Sequence, residues 1–283
     1  MTNEIYGIDY LRRRLADKQT RVLLRYKYYE MKNNAQDFSS LAPEKFKGLK
    51  ETVGWCAKAV DSLADRLQFD EFQNDEFNLS EIFLSNNQDI LIDSAVLSAL
   101  ISACSFVYIR EDNGYPRLQV IDGSNATGII DPVTNLLTEG YAVLERDSMG
   151  VVKTEAYFMA GMTEIYSHGV LVQRIPNAAP YALLVPIIYR PDAKRPFGHS
   201  RISRACIAYT QTALRTIKRS EVSAEFYSFP QKYVLGLSED AEFNNRLAAI
   251  SSFLNFTKDG DGDHPIVGQF QQQSMTPYTE QLR

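Results

Sequence analysis

The sequence contains few of the residues that build metal centres and redox sites, with three cysteines and three histidines among 283 residues. Cys56, Cys104 and Cys206 lie about 50 and 100 residues apart, so none has the short partner spacing of a zinc or thiol-redox motif. Each lies in an apolar helical pattern, which favours reduced, buried thiols in a cytosolic setting. We therefore expect no metal ion and no other cofactor.

Motifs of nucleotide and nucleophilic chemistry are missing as well. The chain has no Gly-Lys-Ser/Thr phosphate loop, no dinucleotide fingerprint and no nucleophile elbow. Asp259, Asp261 and Asp263 resemble the start of a calcium loop, but His264 and Phe270 replace the glycine and glutamate that such a loop needs. We predict a solvated turn there, and we expect that the protein is not an enzyme and has no catalytic residues.

No apolar run is long enough for a membrane span. Ser94 to Ile109 is uncharged, but it carries four serines, becomes strand-like at its end and is shorter than the roughly 20 residues that a span needs. The N-terminus is polar and then basic, without the apolar segment of a signal peptide. We expect a buried helix that is followed by a strand in this run, and no contact with a membrane.

The charge is mildly acidic in total but strongly segregated along the chain. The net charge of −5 gives no general case for nucleic-acid binding, and 45% hydrophobic residues indicate a globular protein with a core. Arg12 to Lys32 contains eight basic and two acidic residues, whereas Asp61 to Asp93 contains nine acidic and one basic. Such segregation favours contacts between different parts of repeated subunits.

The apolar periodicity predicts helices first and strands afterwards, which is an α+β pattern. A meander of short antiparallel strands is expected after a hairpin whose turn is Asn113-Gly114. The predicted helices are Gly7 to Met31, a helix after Pro43 with apolar residues from Leu49 to Leu67, Leu79 to Ser85, and Asp89 to Ser105. The predicted strands are Phe106 to Arg110, Tyr115 to Ile121, Ile129-Ile130, Tyr141 to Arg146, Val151 to Met159, Thr163 to Tyr166 and Val170 to Ile175.

A long helix is predicted from an N-cap at Ser200 up to Pro230, about 28 residues or roughly 40 Å. Two of its sides are partly apolar, which suits a helix packed between neighbours, including neighbouring copies of the chain. Five basic residues share one arc of it. A solvated face and a stripe that meets another subunit or nucleic acid both fit this pattern. These candidate interface residues are Arg201, Arg204, Arg215, Lys218 and Arg219.

The order of the segments resembles the portal (connector) proteins of tailed bacteriophages, in particular the family of Gram-positive phage portals. No segment is specific alone, but their order and spacing extend over nearly the whole chain. The matching segments are Arg25 to Tyr29, Val53 to Phe69 with Ala64-Asp65-Arg66-Leu67, Asn86 to Ile109, Gly198 to Ile202, Phe229 to Gly236 and Pro265 to Phe270.

The resemblance implies a homo-oligomeric ring, typically of twelve subunits, at one capsid vertex of the virion. Such a ring assembles in the host cytoplasm with capsid and scaffold proteins, docks the packaging motor (terminase) and later the head–tail adaptors, and passes double-stranded DNA without sequence specificity. It implies a wing for residues 1–196, a first stem helix for 197–228, a clip of strands and a short helix for 229–276, and the start of a second stem helix for 277–283. The rest of that helix, the tunnel segment and the crown are missing, so we expect that the natural protein continues, and we assign no DNA-contacting residues.

Two alternatives stay open beside this reading. The basic helix from Arg12 to Lys32 would suit a monomeric nucleic-acid-binding adaptor, whose DNA affinity would fall steeply with salt. An enzyme with an unrecognised site is the weaker one, because no catalytic constellation is assembled in the sequence. For the ring subunit, we expect the basic face of the helix from Ser200 to meet an acidic patch of a neighbouring copy.

Overall fold

The computed structural model describes residues 5–33, 51–228, 232–237, 253–257 and 266–269. The fold is α+β, as predicted, with helices at the N-terminus followed by antiparallel strands. The helices are α1 Ile8–Tyr29, α2 Trp55–Ala64, α3 Leu79–Ser85, α4 Gln88–Ser102 and α5 Arg204–Ser228. The strands are β1 Cys104–Asp112, β2 Tyr115–Ile121, β3 Ala126–Ile130, β4 Leu137–Arg146, β5 Val152–Met159, β6 Met162–Ser167, β7 Val170–Pro176, β8 Leu184–Ile188, β9 Lys232–Leu237, β10 Phe253–Thr257 and β11 Ile266–Gln269.

The residues form two compact units, and each is described by itself. The first contains the residues up to Asn33 together with Gly54–Ile207, and the second contains the remaining residues. Helix α5 begins in the first unit and continues in the second. Among the described residues, no helix is long and apolar enough to cross a membrane.

The first unit contains the predicted meander as a five-stranded antiparallel sheet, in the order β3-β4-β5-β6-β7. Helix α1 packs against one face of this sheet. Its Leu11 and Leu15 are buried against Tyr141 and Val143 of β4 and Tyr157 of β5. These contacts bury one side of an amphipathic helix, which supplies most of the stability that a helix of this length needs.

A second sheet of the first unit has the order β2-β1-β8. Strands β1 and β2 form the predicted hairpin, and both turn residues have the positive φ of a type I′ turn, 54° at Asn113 and 81° at Gly114. Strand β8 pairs with β1 in antiparallel register, with Phe106 opposite Pro186. Residues 184–188 are an apolar run in the sequence, but the pairing of this run with β1 depends on a contact between distant residues.

The core of the first unit lies in two main clusters. Phe106, Phe158 and Leu184 are fully buried in the cluster that joins the two sheets. The other cluster joins α2 and α4 and includes Val60 and Ile101. Helix α4 is apolar nearly all round, and seven of its residues are buried.

Helix α2 is shorter than the apolar spacing predicts. Residues 51–54 are not helical, the helix begins at Trp55 after Gly54, and it ends at Ala64 before Leu67. The β-branched Thr52 and Val53, followed by glycine, are poor helix residues, so the apolar spacing is not sufficient there.

The long helix α5 begins at Arg204, so the prediction of an N-cap at Ser200 is wrong. The Ser203 hydroxyl accepts a hydrogen bond from the Cys206 backbone N–H at 3.1 Å, which is the contact of an N-cap. The Ser200 hydroxyl instead donates to the Ile101 carbonyl at 2.5 Å and accepts from the Ile202 N–H at 3.0 Å. The helix has 25 residues, which corresponds to a length of about 37 Å.

In the second unit, a small cluster of Val53, Ala213, Leu214 and Ile217 packs on one side of α5. The three short strands after α5 form a mixed sheet in which β9 lies between β10 and β11. Strand β10 is parallel to β9, and β11 is antiparallel to it. The Asp259 to Asp263 turn and the helix start at residues 277–283 lie outside the described residues. Of the short helix predicted from the sequence at Asp240 to Phe253, only Phe253 is described. Phe253 is the first residue of β10.

Candidate functional site: a basic cleft

A cleft of about 760 Å³ in the first unit has a strongly basic lining. It lies between α1, the connection from α4 to β1, and the segment of residues 195–207 that leads into α5. We call it the basic cleft. It is lined by the basic side chains of Arg14, Lys18, Arg21, Arg25, Arg195 and Arg204, together with one carboxylate, that of Asp17.

Helix α1 supplies four of these six basic residues. Arg14, Lys18, Arg21 and Arg25 are separated by four, three and four positions, so they share one face of the helix. The adjacent side of α1 is held on the sheet by Leu11 and Leu15. The helix is therefore oriented by its apolar contacts, and its basic face forms one wall of the cleft.

The innermost cation of the cleft is Lys18. Its Nζ donates to the Ala126 carbonyl at 2.5 Å and lies 5.2 Å from the ring centroid of Phe106 and 5.8 Å from that of Phe197. Burial lowers the pKa of Lys18, because it penalises the charged ammonium group, and the charge of Arg14 acts in the same direction. The carbonyl and the two ring faces compensate part of that cost.

Two arginines of α1 are fixed beside Lys18. Arg25 donates from Nη1 to the Ser102 carbonyl at 2.9 Å, and the Arg14 guanidinium lies 5.4 Å from the ring centroid of Phe197. Burial lowers the pKa of Arg25, and the charge of Arg21 adds to that effect. Arg21 and Arg204 are exposed at the cleft, so they are free to turn toward a ligand.

The loop of residues 192–199 forms a second wall of the cleft. The His199 imidazole contacts the Asp192 carboxylate through Nε2 at 2.5 Å and the Arg195 guanidinium through Nδ1 at 3.2 Å. This contact with His199 is the main cause of the lowered pKa of Asp192. The sequence placed no acidic residue at ligand spacing from His199, so this pairing could not be predicted.

Gly198 allows the loop to lie close to β8. Its φ is +74°, and a Cβ on it would lie 2.2 Å from the Tyr189 carbonyl oxygen and 2.8 Å from Ile188 Cγ2. Only glycine accommodates both the left-handed backbone and this close approach. The wall of the cleft therefore depends on Gly198.

This arrangement suits the binding of an anion. Six cations and one carboxylate converge on one concavity, so its potential favours carboxylate or phosphate oxygens. The apolar side chains of Leu24 and Ile207 also line it, which adds a surface for apolar contact. In the part of the chain that the structure describes, no group of three His, Cys, Asp or Glu residues is arranged to hold a metal ion.

The structure does not bring the five predicted interface residues together as one exposed stripe. Arg201 precedes α5 and donates from Nε to the Ala59 carbonyl at 3.0 Å. Arg204, the first residue of α5, lines the basic cleft. Arg215 and Arg219 are exposed on α5, but Lys218 is only 1% exposed. A helical wheel does not show which side of the helix the rest of the protein covers, and the apolar stem of a lysine is easily buried.

Sequence reasoning missed the cleft itself. From the sequence, the basic residues from Arg12 to Lys32 were predicted only to suit a nucleic-acid-binding helix. The spacing of Arg14, Lys18, Arg21 and Arg25 was a visible signal for a shared basic face. The other walls come from residues about 80 to 190 positions further along the chain, and no local pattern places them against α1.

Three buried carboxylates lie in the five-stranded sheet, and two of them, Glu139 and Glu155, also bond to α1 or to the residues just before it. Glu155 accepts hydrogen bonds from Arg12 and from the Tyr141 hydroxyl. Glu139 accepts from the Tyr157 hydroxyl at 2.6 Å and from the backbone N–H groups of residues 6 and 7 at 2.8 and 3.0 Å. Glu164 accepts in the same way from Tyr166 and Arg174.

Each of these carboxylates accepts hydrogen bonds from the protein, so none is left for a ligand or for catalysis. Their role is structural: they hold the N-terminal segment on the sheet. Burial, followed by the hydrogen bond to its glutamate, raises the pKa of both Tyr141 and Tyr157, so the phenols stay protonated and continue to donate. Glu139 also lines a cavity of about 540 Å³, where its two oxygens are already bonded to the backbone and to Tyr157.

Two cysteines that are distant in the sequence are neighbours in the first unit. The Sγ atoms of Cys56 and Cys206 lie 3.3 Å apart, although 150 positions separate them. Cys56 and Cys104 are buried as predicted, but Cys104 begins β1 and is not helical, and Cys206 is partly exposed, so the prediction of a buried thiol is wrong there. Burial raises the pKa of the Cys104 thiol, which keeps it in its unreactive neutral form.

A scan of the chain against models of known protein families found no match, and neither did a search of curated proteins. The order of the elements, the charge distribution and the basic cleft are therefore the features that indicate a function.

Proposed function

We propose that the chain is a subunit of the portal ring of a tailed bacteriophage, the channel at the capsid vertex through which viral DNA is packaged and ejected. The observation that carries the proposal is the succession of elements. Helices and antiparallel sheets are followed by the 25-residue helix α5 and then by a small sheet of three short strands. This is the order of wing, stem helix and clip that the sequence resemblance implies.

In this proposal, residues 1–196 serve as the wing, 197–228 as the first stem helix, 229–276 as the clip, and 277–283 begin the second stem helix. The partners are other copies of the chain, capsid and scaffold proteins, the packaging motor, the head–tail adaptors and double-stranded DNA. The subunit has a structural role in the virion and no catalytic one. The segregated charge supports the proposal, because a ring subunit presents two different surfaces to its two neighbours.

A monomeric nucleic-acid-binding adaptor is the second candidate. The observation in its favour is the basic cleft, because four of its cations lie on the helix for which that alternative was considered. Phosphate oxygens would fit the same cations, and binding would weaken steeply as salt rises.

The test is negative-stain electron microscopy of the protein expressed from its complete reading frame, combined with light scattering at low and high salt. We expect rings with a central hole. Monomers under both conditions would contradict the portal proposal, and DNA titrations of those monomers would then examine the adaptor.

Charge reversal on the exposed part of α5 should impair ring assembly. Arg215 and Arg219 are both exposed, so replacing each with glutamate leaves the packed side of the helix unchanged and puts repulsion where an acidic neighbour is expected. We expect the fraction of rings in sedimentation velocity to fall at least about tenfold for R215E/R219E. Rings at the level of the parent protein would show that this part of α5 is a solvated face.

A further inference from the structure

The first unit carries an acidic surface that complements the basic cleft. Residues 70–81 contain five carboxylates and no basic residue. Asp70, Glu71, Glu76 and Glu81 are exposed. The Asp75 carboxylate accepts from the backbone N–H groups of Leu79 and Ser80 at 2.6 and 2.7 Å. We call residues 70–81 the acidic segment.

The acidic segment has a defined shape. The rings of Phe69, Phe72 and Phe83 contact one another, with centroid separations of 5.0, 6.0 and 4.8 Å, and tie the segment to α3. The hydrogen bonds of Asp75 fix the start of α3. Phe77, which directly follows Glu76 in the segment, is 79% exposed. The segment therefore presents charge and an apolar side chain on a structured base.

The acidic segment and the basic cleft lie at opposite ends of α4. The segment ends in α3, which is directly followed by the first turn of α4. Ser102, the last residue of α4, and Ala103 line the cleft. Fifteen helical residues separate the two surfaces, which is roughly 20 Å along the helix axis. The two surfaces of one copy therefore do not neutralise each other.

We propose that the acidic segment of one copy binds in the basic cleft of the next copy. The inference rests on the proposed function, because it names a contact by which subunits associate in a ring. Two different complementary surfaces on one subunit give a heterologous, head-to-tail contact, which is the type of contact that generates rings. Carboxylates of the segment pair with Arg21 and Arg204, and Phe77 contacts the apolar part of the cleft, where Leu24 is 46% exposed.

The site favours a peptide carboxylate over nucleic acid. Two of the cations that line the concavity, Lys18 and Arg25, already donate to the Ala126 and Ser102 carbonyls, which leaves fewer cations for the phosphates of a nucleic-acid backbone. The Phe197 ring, which could otherwise stack on a base, already has Arg14 and Lys18 over it. The cleft volume of about 760 Å³ is within the range that holds a few side chains.

The experiment uses two charge-reversed variants of the full-length protein. In one, Arg21→Glu and Arg204→Glu reverse the two exposed cleft charges that are proposed to pair with the segment; in the other, Glu71→Arg and Glu76→Arg reverse two exposed charges of the segment. All four residues are exposed, so the variants should keep the circular dichroism and thermal transition of the parent. At these positions, each variant alone places like charges opposite one another, whereas a one-to-one mixture places opposite charges there at every contact between unlike variants.

We expect each variant alone to sediment as a monomer at concentrations where the parent assembles, with association weakened at least about tenfold. The mixture should recover assemblies of the parental size. A control variant, Arg13→Glu with Glu111→Lys, reverses two exposed charges that do not line the cleft or belong to the segment, and it should assemble like the parent.

The outcomes separate this inference from the portal proposal. If the parent and both variants form rings equally well, the inference is overturned and the portal proposal stands. Variants that lose assembly but do not recover it when mixed also overturn it, because the two surfaces then do not meet. If the parent does not assemble at all, both proposals fail. Loss of DNA binding by the cleft variant in a monomeric parent would assign the cleft to nucleic acid.

Discussion

Replacing Glu155 with alanine is expected to lower the free energy of unfolding of the first unit by about 2 to 4 kcal/mol. The Glu155 side chain is 6% exposed, and it accepts hydrogen bonds from the Arg12 guanidinium and the Tyr141 hydroxyl. Its removal leaves a buried phenol without an acceptor and a guanidinium that is 31% exposed without its carboxylate. Partial solvation of Arg12 keeps the loss below that of a fully buried pair.

Urea denaturation followed by far-ultraviolet circular dichroism measures this loss. Glu145→Ala is the matched control, because Glu145 is on the neighbouring strand β4 and pairs with Lys153 at 2.7 Å, but its side chain is 52% exposed. Its replacement should cost much less, since an exposed ion pair adds little. Equal losses for the two variants would show that the hydrogen bonds of Glu155 do not hold α1 on the sheet.

Replacing Gly198 with alanine is expected to destabilise the first unit by about 2 to 4 kcal/mol. The new Cβ would lie 2.2 Å from the Tyr189 carbonyl oxygen, so the backbone of the loop or of its neighbour must move. The left-handed φ of +74° adds its own cost. Because this loop is a wall of the basic cleft, the variant should also bind the acidic segment more weakly.

Replacing Gly150 with alanine separates the cost of the left-handed backbone from the cost of the steric clash. Gly150 has a similar φ of +80°, but a Cβ there has nothing within 4 Å. Its replacement should cost only the left-handed backbone term, about 1 to 2 kcal/mol. Thermal denaturation of both variants makes the comparison. A Gly198 variant as stable as the Gly150 variant would mean that the loop relaxes away from Tyr189 without loss.

Elements that depend on neighbouring residues could be predicted from the sequence. The bounds of α3 and the strands of the hairpin around Asn113-Gly114 follow from local periodicity and turn chemistry. The meander β3 to β7 also follows, because each strand pairs with the next one along the chain. These features account for the correct fold class.

Features that depend on distant residues could not be predicted. Ser200 and Ser203 satisfy the same capping rule, and the choice between them depends on the Ile101 carbonyl, which binds the Ser200 hydroxyl. The burial of Lys218 and the proximity of Cys56 to Cys206 depend on packing in the same way. The basic cleft is the clearest case. The spacing of its basic residues on α1 can be read from the sequence, but the contacts that bring the other walls against α1 cannot.

The positions of the cleft's lining residues along the sequence also determine when a newly synthesised chain can bind a partner in the cleft. Its walls come from the beginning of the chain, from residues 102–104 and from residues 195–207. The site is therefore incomplete on a ribosome-bound chain until roughly the first 207 residues have emerged and folded, in keeping with the folding of domains as units during synthesis. The acidic segment is synthesised long before that point. Each new chain therefore exposes its acidic segment early and completes its basic cleft late. Contacts through the cleft are thus limited to chains whose first unit is complete.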